Sequence, residues 1–274
     1  MKENRRNGIF YVSFPQMEEK GIIAVVAGRQ GGVSRDPFES LNMSFSSGDD
    51  PAAVLENRRR LMALFSLPME RMVACHQVHG TNVVKVIGKE AGLGAGSQKT
   101  AIPDCDGLAT NVPGVTLSMN FADCTPLLFY DPRHHAIALS HGGWRGAAGN
   151  IGGKTVAKMN EWYGTRADDI LAAVGPAIGP CCFEVGEDVI DAFSVHFDGK
   201  TMARLAKPKA EKGKYLFDLP EANRLLLMQA GIREDHIDLS RLCTYCHKEL
   251  FYSYRRDGKK AGRHMAIMAI PENR

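Results

Sequence analysis

The sequence has no hydrophobic run long enough to span a bilayer, no low-complexity tract and no internal repeat, which excludes helical membrane proteins and solenoids. It has little charge imbalance: the net charge of +3 is too small to argue for nucleic acid. Basic residues gather in "ENRRR" and "YRRDGKKAGR", but neither run is long and aromatics hardly interleave. Both read as solvated faces or as the wall of an anion pocket. The basic start "MKENRRNGIFYVSFPQMEEKG" has only a short apolar run followed by charges, so neither a signal peptide nor a membrane anchor is read there. The expected location is the cytoplasm, and the seven cysteines are then expected as reduced thiols, some of them free to ligate metal.

What is present is an ordinary globular composition. The 44% hydrophobic content over 274 residues can bury a full core, read here as one domain covering 1–274. "GIIAVVAG" and "ILAAVGPAIG" read as buried strands, and "HMAIMAI" as a last one. "VTLSMNFADC", "PLLFYD" and "AIALSHGG" read as three successive strands, split by Thr-Pro and by "PRHH". Helical spacing appears in "DPAAVLENRRRLMALFSL", "GNIGGKTVAKMNEWYG", "EDVIDAFSVHF" and "LPEANRLLLMQAG". "AGLGAGSQKTAIP" and "KPKAEKGK" read as exposed loops. Strands and helices alternate without a clean parallel rhythm, which predicts an α/β (α+β) layered sandwich of mixed sheets flanked by helices.

Two motifs invite over-reading. Gly153, Lys154 and Thr155 end a nucleotide-phosphate loop correctly, but its first glycine falls on Ala148, and that glycine supplies the loop's curvature. The following strand also lacks a carboxylate to hold magnesium. A glycine-eased helix start is the plainer reading. "CTYCH", Cys243 to His247, matches a c-type haem attachment site, yet no export signal accompanies it. It could be half of a zinc site, but no second C-x-x-C follows, so thiols packed beside a strand is the plainer reading.

The third constellation carries chemistry. If the three successive strands form a meander, Cys124 and His141 leave the same sheet edge. "ACHQVHG" offers His76 or His79 as a third group near a glycine turn. Two histidines and one cysteine make a three-ligand metal site with a fourth position open, the pattern of a catalytic centre. A cysteine–histidine hydrolase, with Cys124 as nucleophile and His141 as base, is the alternative. Copper accepts the same ligands, but a laccase cluster needs histidine pairs, and none of the nine histidines forms H-x-H.

"VACHQVHGTNV", "DGLATNVPGVTLSMNFADCTPLLFYDP", "ALSHGGWRGAAGNI", "VGPAIGPCCFEVG" and the run from "FYSYRRDG" to "AGRH" together resemble the YlmD/YfiH family. "GRQGGVSRDPFESLNMS" and "ENRRRL" fit the same pattern, so the resemblance covers almost the whole chain. Members have been called laccase-domain or polyphenol oxidase proteins and are now regarded as zinc-dependent purine nucleoside phosphorylases. The resemblance implies His79, Cys124 and His141 as metal ligands and the catalytic set, choosing His79 over His76. It implies zinc, with copper as an alternative, and phosphorolysis of adenosine, inosine, guanosine and S-methyl-5'-thioadenosine with adenosine deamination at the same site. It also implies purine nucleosides and phosphate as partners, a YfiH-like fold and a homodimer. Arg145, two residues beyond the glycine pair of "SHGG", is placed to fork onto phosphate, helped by helix-start N–H groups. Asp123, His76 and Glu184 are candidates for the acid that protonates the departing base, while Cys181, Cys182, Cys243 and Cys246 receive no role.

Overall fold

A computed structural model describes residues 1–272 and shows two six-stranded sheets packed face to face, with helices on both outer faces. The first sheet runs in the order Lys2–Arg6, Ile9–Ser13, Ile23–Ala27, His264–Ala269, Thr116–Phe121, Met72–Ala74. The second runs Ile237–Leu239, Leu171–Val174, Thr125–Asp131, Ala136–Gly142, Gly107–Thr110, Val83–Lys85. Both are mixed: antiparallel pairs dominate, and parallel pairs sit toward the edges, such as Met72–Ala74 with Thr116–Phe121.

The period of two along each strand builds this layering. In His264–Ala269, Ala266 and Met268 enter the core between the sheets, while Met265, Ile267 and Ala269 face outward onto Leu61, Met62 and Leu64. Those leucines and that methionine lie on the helix Pro51–Leu64, which starts correctly because Asp50 accepts from the Ala52 N–H and Pro51 fills the first turn. In Thr125–Asp131, Leu128 and Tyr130 point inward, and Leu127 and Phe129 face Ile151, Val156 and Met159 of the helix Ile151–Tyr163. That helix is capped by Asn150 and ended by Gly164, both left-handed. A small antiparallel sheet, Glu184–Val185, Tyr215–Phe217 and Ala206–Pro208, packs with Glu187–Ser194, Gly199–Leu205 and Leu219–Gln229 into a third cluster.

Three expectations need correction. The three successive strands are not a meander: Thr116–Phe121 belongs to the first sheet, the next two to the second. Only residues 122–124 separate Phe121 from Thr125, and Asp123 adopts φ 87°, so the chain turns there and crosses the sandwich. "KPKAEKGK" is only partly a loop, because Ala206–Pro208 pairs with Tyr215–Phe217. "AGLGAGSQKTAIP" is not simply exposed: Ala95 and Ile102 are buried, and Arg58 reaches the Gly94 and Ala95 carbonyls.

The crossing places the site. Residues 75–82 and residues 122–124 both pass from the first sheet to the second at the same end of the sandwich. The strand His264–Ala269 begins at that end, since His264 pairs with Phe121. Thr125 pairs with Gly142, which sets Cys124 beside the end of the strand that carries His141.

Candidate metal centre

His79, Cys124 and His141 converge there, with one donor atom from each lying within 4.8 Å of the others. The His79 and His141 rings meet edge to face at 4.7 Å between centroids. His141 is 3% exposed, Cys124 is half-buried and His79 is exposed, so the group opens to solvent on one side.

Asp106, which sequence reasoning did not single out, organises this corner. It is fully buried and accepts from the backbone N–H groups of Val78, His79 and Gly80 at 3.1, 3.0 and 2.7 Å. His141 Nδ1 donates to it at 2.8 Å, leaving Nε2 as the free ligand atom. Three N–H groups folded around one carboxylate hold His79 at φ 61°, a conformation rare for a residue with a side chain. Burial opposes ionisation of Asp106, but the hydrogen bonds from His141 and the loop amides win and hold its carboxyl below the usual range. The only sequence signal was its place opening the "DGLATN" block.

The electrostatics favour a thiolate. Burial pushes the Cys124 thiol up, but the charge and hydrogen bond of His141, with those of His79, bring it down to about 6. Burial likewise opposes the His141 cation, yet Cys124 and Asp106 hold it up to about 9. The two shifts describe one thiolate–imidazolium pair, each partner favouring the charged form of the other. A metal ion would take the place of the shared proton. Two imidazoles and a thiolate, one imidazole fixed by a carboxylate, fit a tetrahedral ion with one open position.

The group forms one wall of a cavity of about 570 Å³, within the range of small-molecule sites. Ile178, Phe183 and Tyr254 supply an apolar side, while Gln77, Asn120 and Arg263 supply polar groups. Arg263 donates through Nη1 to the Ala261 and Gly262 carbonyls, and its remaining donors have no protein acceptor among the described residues.

Arg145, expected at the phosphate, lies outside the lining of this cavity. It is exposed and stacks over the Trp144 ring at 4.3 Å. It is the second residue of the helix Trp144–Ala148; Arg255 and Arg263 are the guanidinium groups that line the cavity. Of the three acid candidates, His76 lines the cavity, exposed, with Nδ1 3.4 Å from Asp104. Asp123 also lines it, but its oxygens accept from Thr244, Ser253 and the Arg255 N–H. Glu184 pairs with Lys209 away from the cavity. Lys154 donates to Thr81, and the Gly153 N–H is taken by Asn150, so no phosphate loop forms.

The fold and the pocket with its candidate three-ligand group are those of the laccase-like class. A family model described as multi-copper polyphenol oxidoreductase laccase matches residues 23–271, and the chain belongs to that family. It is 42% identical over 252 residues to the purine nucleoside phosphorylase YlmD of Geobacillus stearothermophilus, covering 92% of this chain and 91% of that one. It is 33% identical over 230 residues to the adenosine deaminase RL5 of an unknown prokaryote, covering 84% and 86%. The crystal structure of YlmD from Geobacillus stearothermophilus superposes with a TM-score of 0.91 at 39% identity, covering 98% of both chains. The α/β layered fold is thus that of the YlmD structures.

Proposed function

We propose that this chain is a zinc-dependent purine nucleoside phosphorylase acting on adenosine, inosine, guanosine and S-methyl-5'-thioadenosine, with adenosine deamination in the same pocket. The convergence of His79, Cys124 and His141 on one wall of a nucleoside-sized cavity carries this reading. The names of the YlmD and RL5 relatives support the two reactions. We further read residues 1–274 as one domain, acting as a cytoplasmic homodimer without nucleic-acid or membrane partners. No helix among the described residues is long and apolar enough to cross a membrane.

Phosphorolysis joins a phosphate oxygen to the anomeric carbon while the glycosidic electron pair leaves with the purine, which then takes a proton. Arg263 is the residue we assign to the phosphate, since it lines the cavity and has guanidinium donors without a protein acceptor among the described residues. Phe183 and Tyr254 offer faces on which a purine ring can stack. His76 is the cavity's proton donor in this scheme, because Asp123 is committed to three hydrogen bonds. Zinc held by His79, Cys124 and His141 would supply Lewis-acid chemistry: polarising a substrate oxygen, and activating water for deamination. Asp106 keeps His141 oriented for that task.

Copper could occupy the same ligands, but the described residues bring together no histidine-rich cluster of the kind a laccase uses. The Cys124–His141 ion pair favours a second reading, a cysteine hydrolase working without metal. Metal analysis with activity assays separates them. On the phosphorylase reading, Cys124→Ala loses about one zinc per chain relative to the unsubstituted protein, together with both purine activities. Activity that persists in rigorously metal-free protein supports the hydrolase; activity that tracks copper supports the oxidase.

A further inference from the structure

The four cysteines without a role in the reaction come together on the far side of Asp123. Sulfur atoms of Cys181, Cys182, Cys243 and Cys246 all lie within 4.8 Å of one another. Cys246 stands 3.5 Å from Cys181 and 3.4 Å from Cys182, sulfur to sulfur. A disulfide needs about 2.05 Å, whereas four sulfurs around a tetrahedral zinc lie about 3.8 Å apart.

We propose that Cys181, Cys182, Cys243 and Cys246 form a second metal site, a tetrathiolate that takes zinc as a structural ion. "CTYCH" supplies two ligands at the spacing of a zinc knuckle, and the adjacent pair in "GPCCFE" supplies the other two. That is why no second C-x-x-C is visible. Backbone N–H groups face one of the four sulfurs. The Gly179 N–H donates to Cys243 Sγ at 3.2 Å, and the Cys246 N–H also points to that sulfur. A Cβ on Gly179 would lie 3.4 Å from Cys181 Sγ and 3.3 Å from Cys243 Cβ, so the missing side chain lets the loops close. Arg256, itself paired with Asp257, donates to the Thr244 and Tyr245 carbonyls and so braces the knuckle backbone.

Simple packing of thiols does not account for this arrangement, because Cys181 and Cys246 are exposed. Each thiol would give its proton to solvent as its sulfur takes the ion. The ion would staple two segments already joined by the Ala177–Cys243 bridge. Both segments reach the cavity: Ile178 and Phe183 line it from one, and Thr244 on the other donates to Asp123 at 2.6 Å.

The test uses the full chain with Cys124→Ala, which disables the first site, purified under reducing conditions, loaded with zinc and freed of excess. About one zinc per chain should remain, and adding Cys246→Ser should reduce it at least about tenfold. Cobalt(II) in the Cys124→Ala protein should show intense thiolate-to-metal charge-transfer absorption in the near ultraviolet. This second measurement decides the matter if the doubly substituted protein does not fold. Zinc that Cys246→Ser leaves in place, a cobalt complex without thiolate absorption, or a metal-free chain carrying a disulfide between Cys246 and Cys181 or Cys182 would overturn the proposal.

Discussion

Asp106 and His141 share two hydrogen bonds: the His141 backbone N–H donates to the Asp106 carbonyl, and its ring Nδ1 donates to the Asp106 carboxylate, each at 2.8 Å. The same carboxylate gathers the loop that carries His79. One buried acid therefore positions two of the three ligands. Asp106→Asn should weaken zinc binding at the first site by about 10–100-fold, because the amide cannot hold the imidazole N–H and the loop amides together. Chelator competition measures this. Unchanged affinity in a folded variant would mean that the loop is held by other contacts.

Arg263, which lines the cavity, and Arg145, which does not, separate by role. Arg263→Ala should cut phosphorolysis by about 10²–10³ and weaken its dependence on phosphate, while deamination, whose nucleophile is water, falls much less. Arg145→Ala, a surface change beside Trp144, should leave both activities near those of the unsubstituted protein. The reverse ranking in paired assays would return the phosphate role to Arg145.

A buried histidine makes the fold sensitive to acid. His264 is fully buried against Phe121 and Phe251, and neither ring nitrogen has a partner. Burial, with the Arg263 charge beside it, pushes the imidazole from 6.5 down to about 3. The folded value lies below the unfolded one, so the unfolded chain takes the proton first as pH falls. Stability is therefore lost progressively below pH 6.5, and the loss levels off only near 3. At two units below 6.5 this one group costs about 3 kcal/mol. Denaturant titrations should show a shallower acid slope for His264→Leu; parallel slopes would remove His264 from the account.

Arg58 tests the packing of the helix Pro51–Leu64. It is 1% exposed and donates to the carbonyls of Met43, Gly94 and Ala95, with the Phe45 ring beneath it at 4.4 Å. Burial lowers its pKa to about 9. Arg58→Ala should destabilise the protein by about 3–5 kcal/mol, through a cavity and three carbonyls left without donors. Chemical denaturation checks this, and a loss under about 1 kcal/mol would show that water replaces the guanidinium at little cost.

Much of this architecture was legible. The helix Pro51–Leu64 followed from Asp-Pro and its spacing, and the helix Ile151–Tyr163 from a run ended by Gly164. The missed hairpin of Lys2–Arg6 and Ile9–Ser13 had a clear signal, since Asn7 and Gly8 both take positive φ as its turn. The sheet switch at residues 122–124 was not legible, because apolar alternation reads the same in either sheet. The ligands could be proposed at strand ends and loops, but Asp106 could not. A buried carboxylate that serves backbone N–H groups leaves no spacing pattern. The position of the Arg145 side chain was not legible either: the turn after a strand fixes where a residue lies in sequence, not the direction its side chain takes.

The central claim is tested most directly by incubating the zinc-loaded protein with inosine, with and without phosphate, and following hypoxanthine and ribose 1-phosphate. The account predicts that both products appear in equal amounts, only with phosphate, and that both vanish in a folded Cys124→Ala variant. Hypoxanthine released equally well without phosphate, or undiminished in Cys124→Ala, would contradict it.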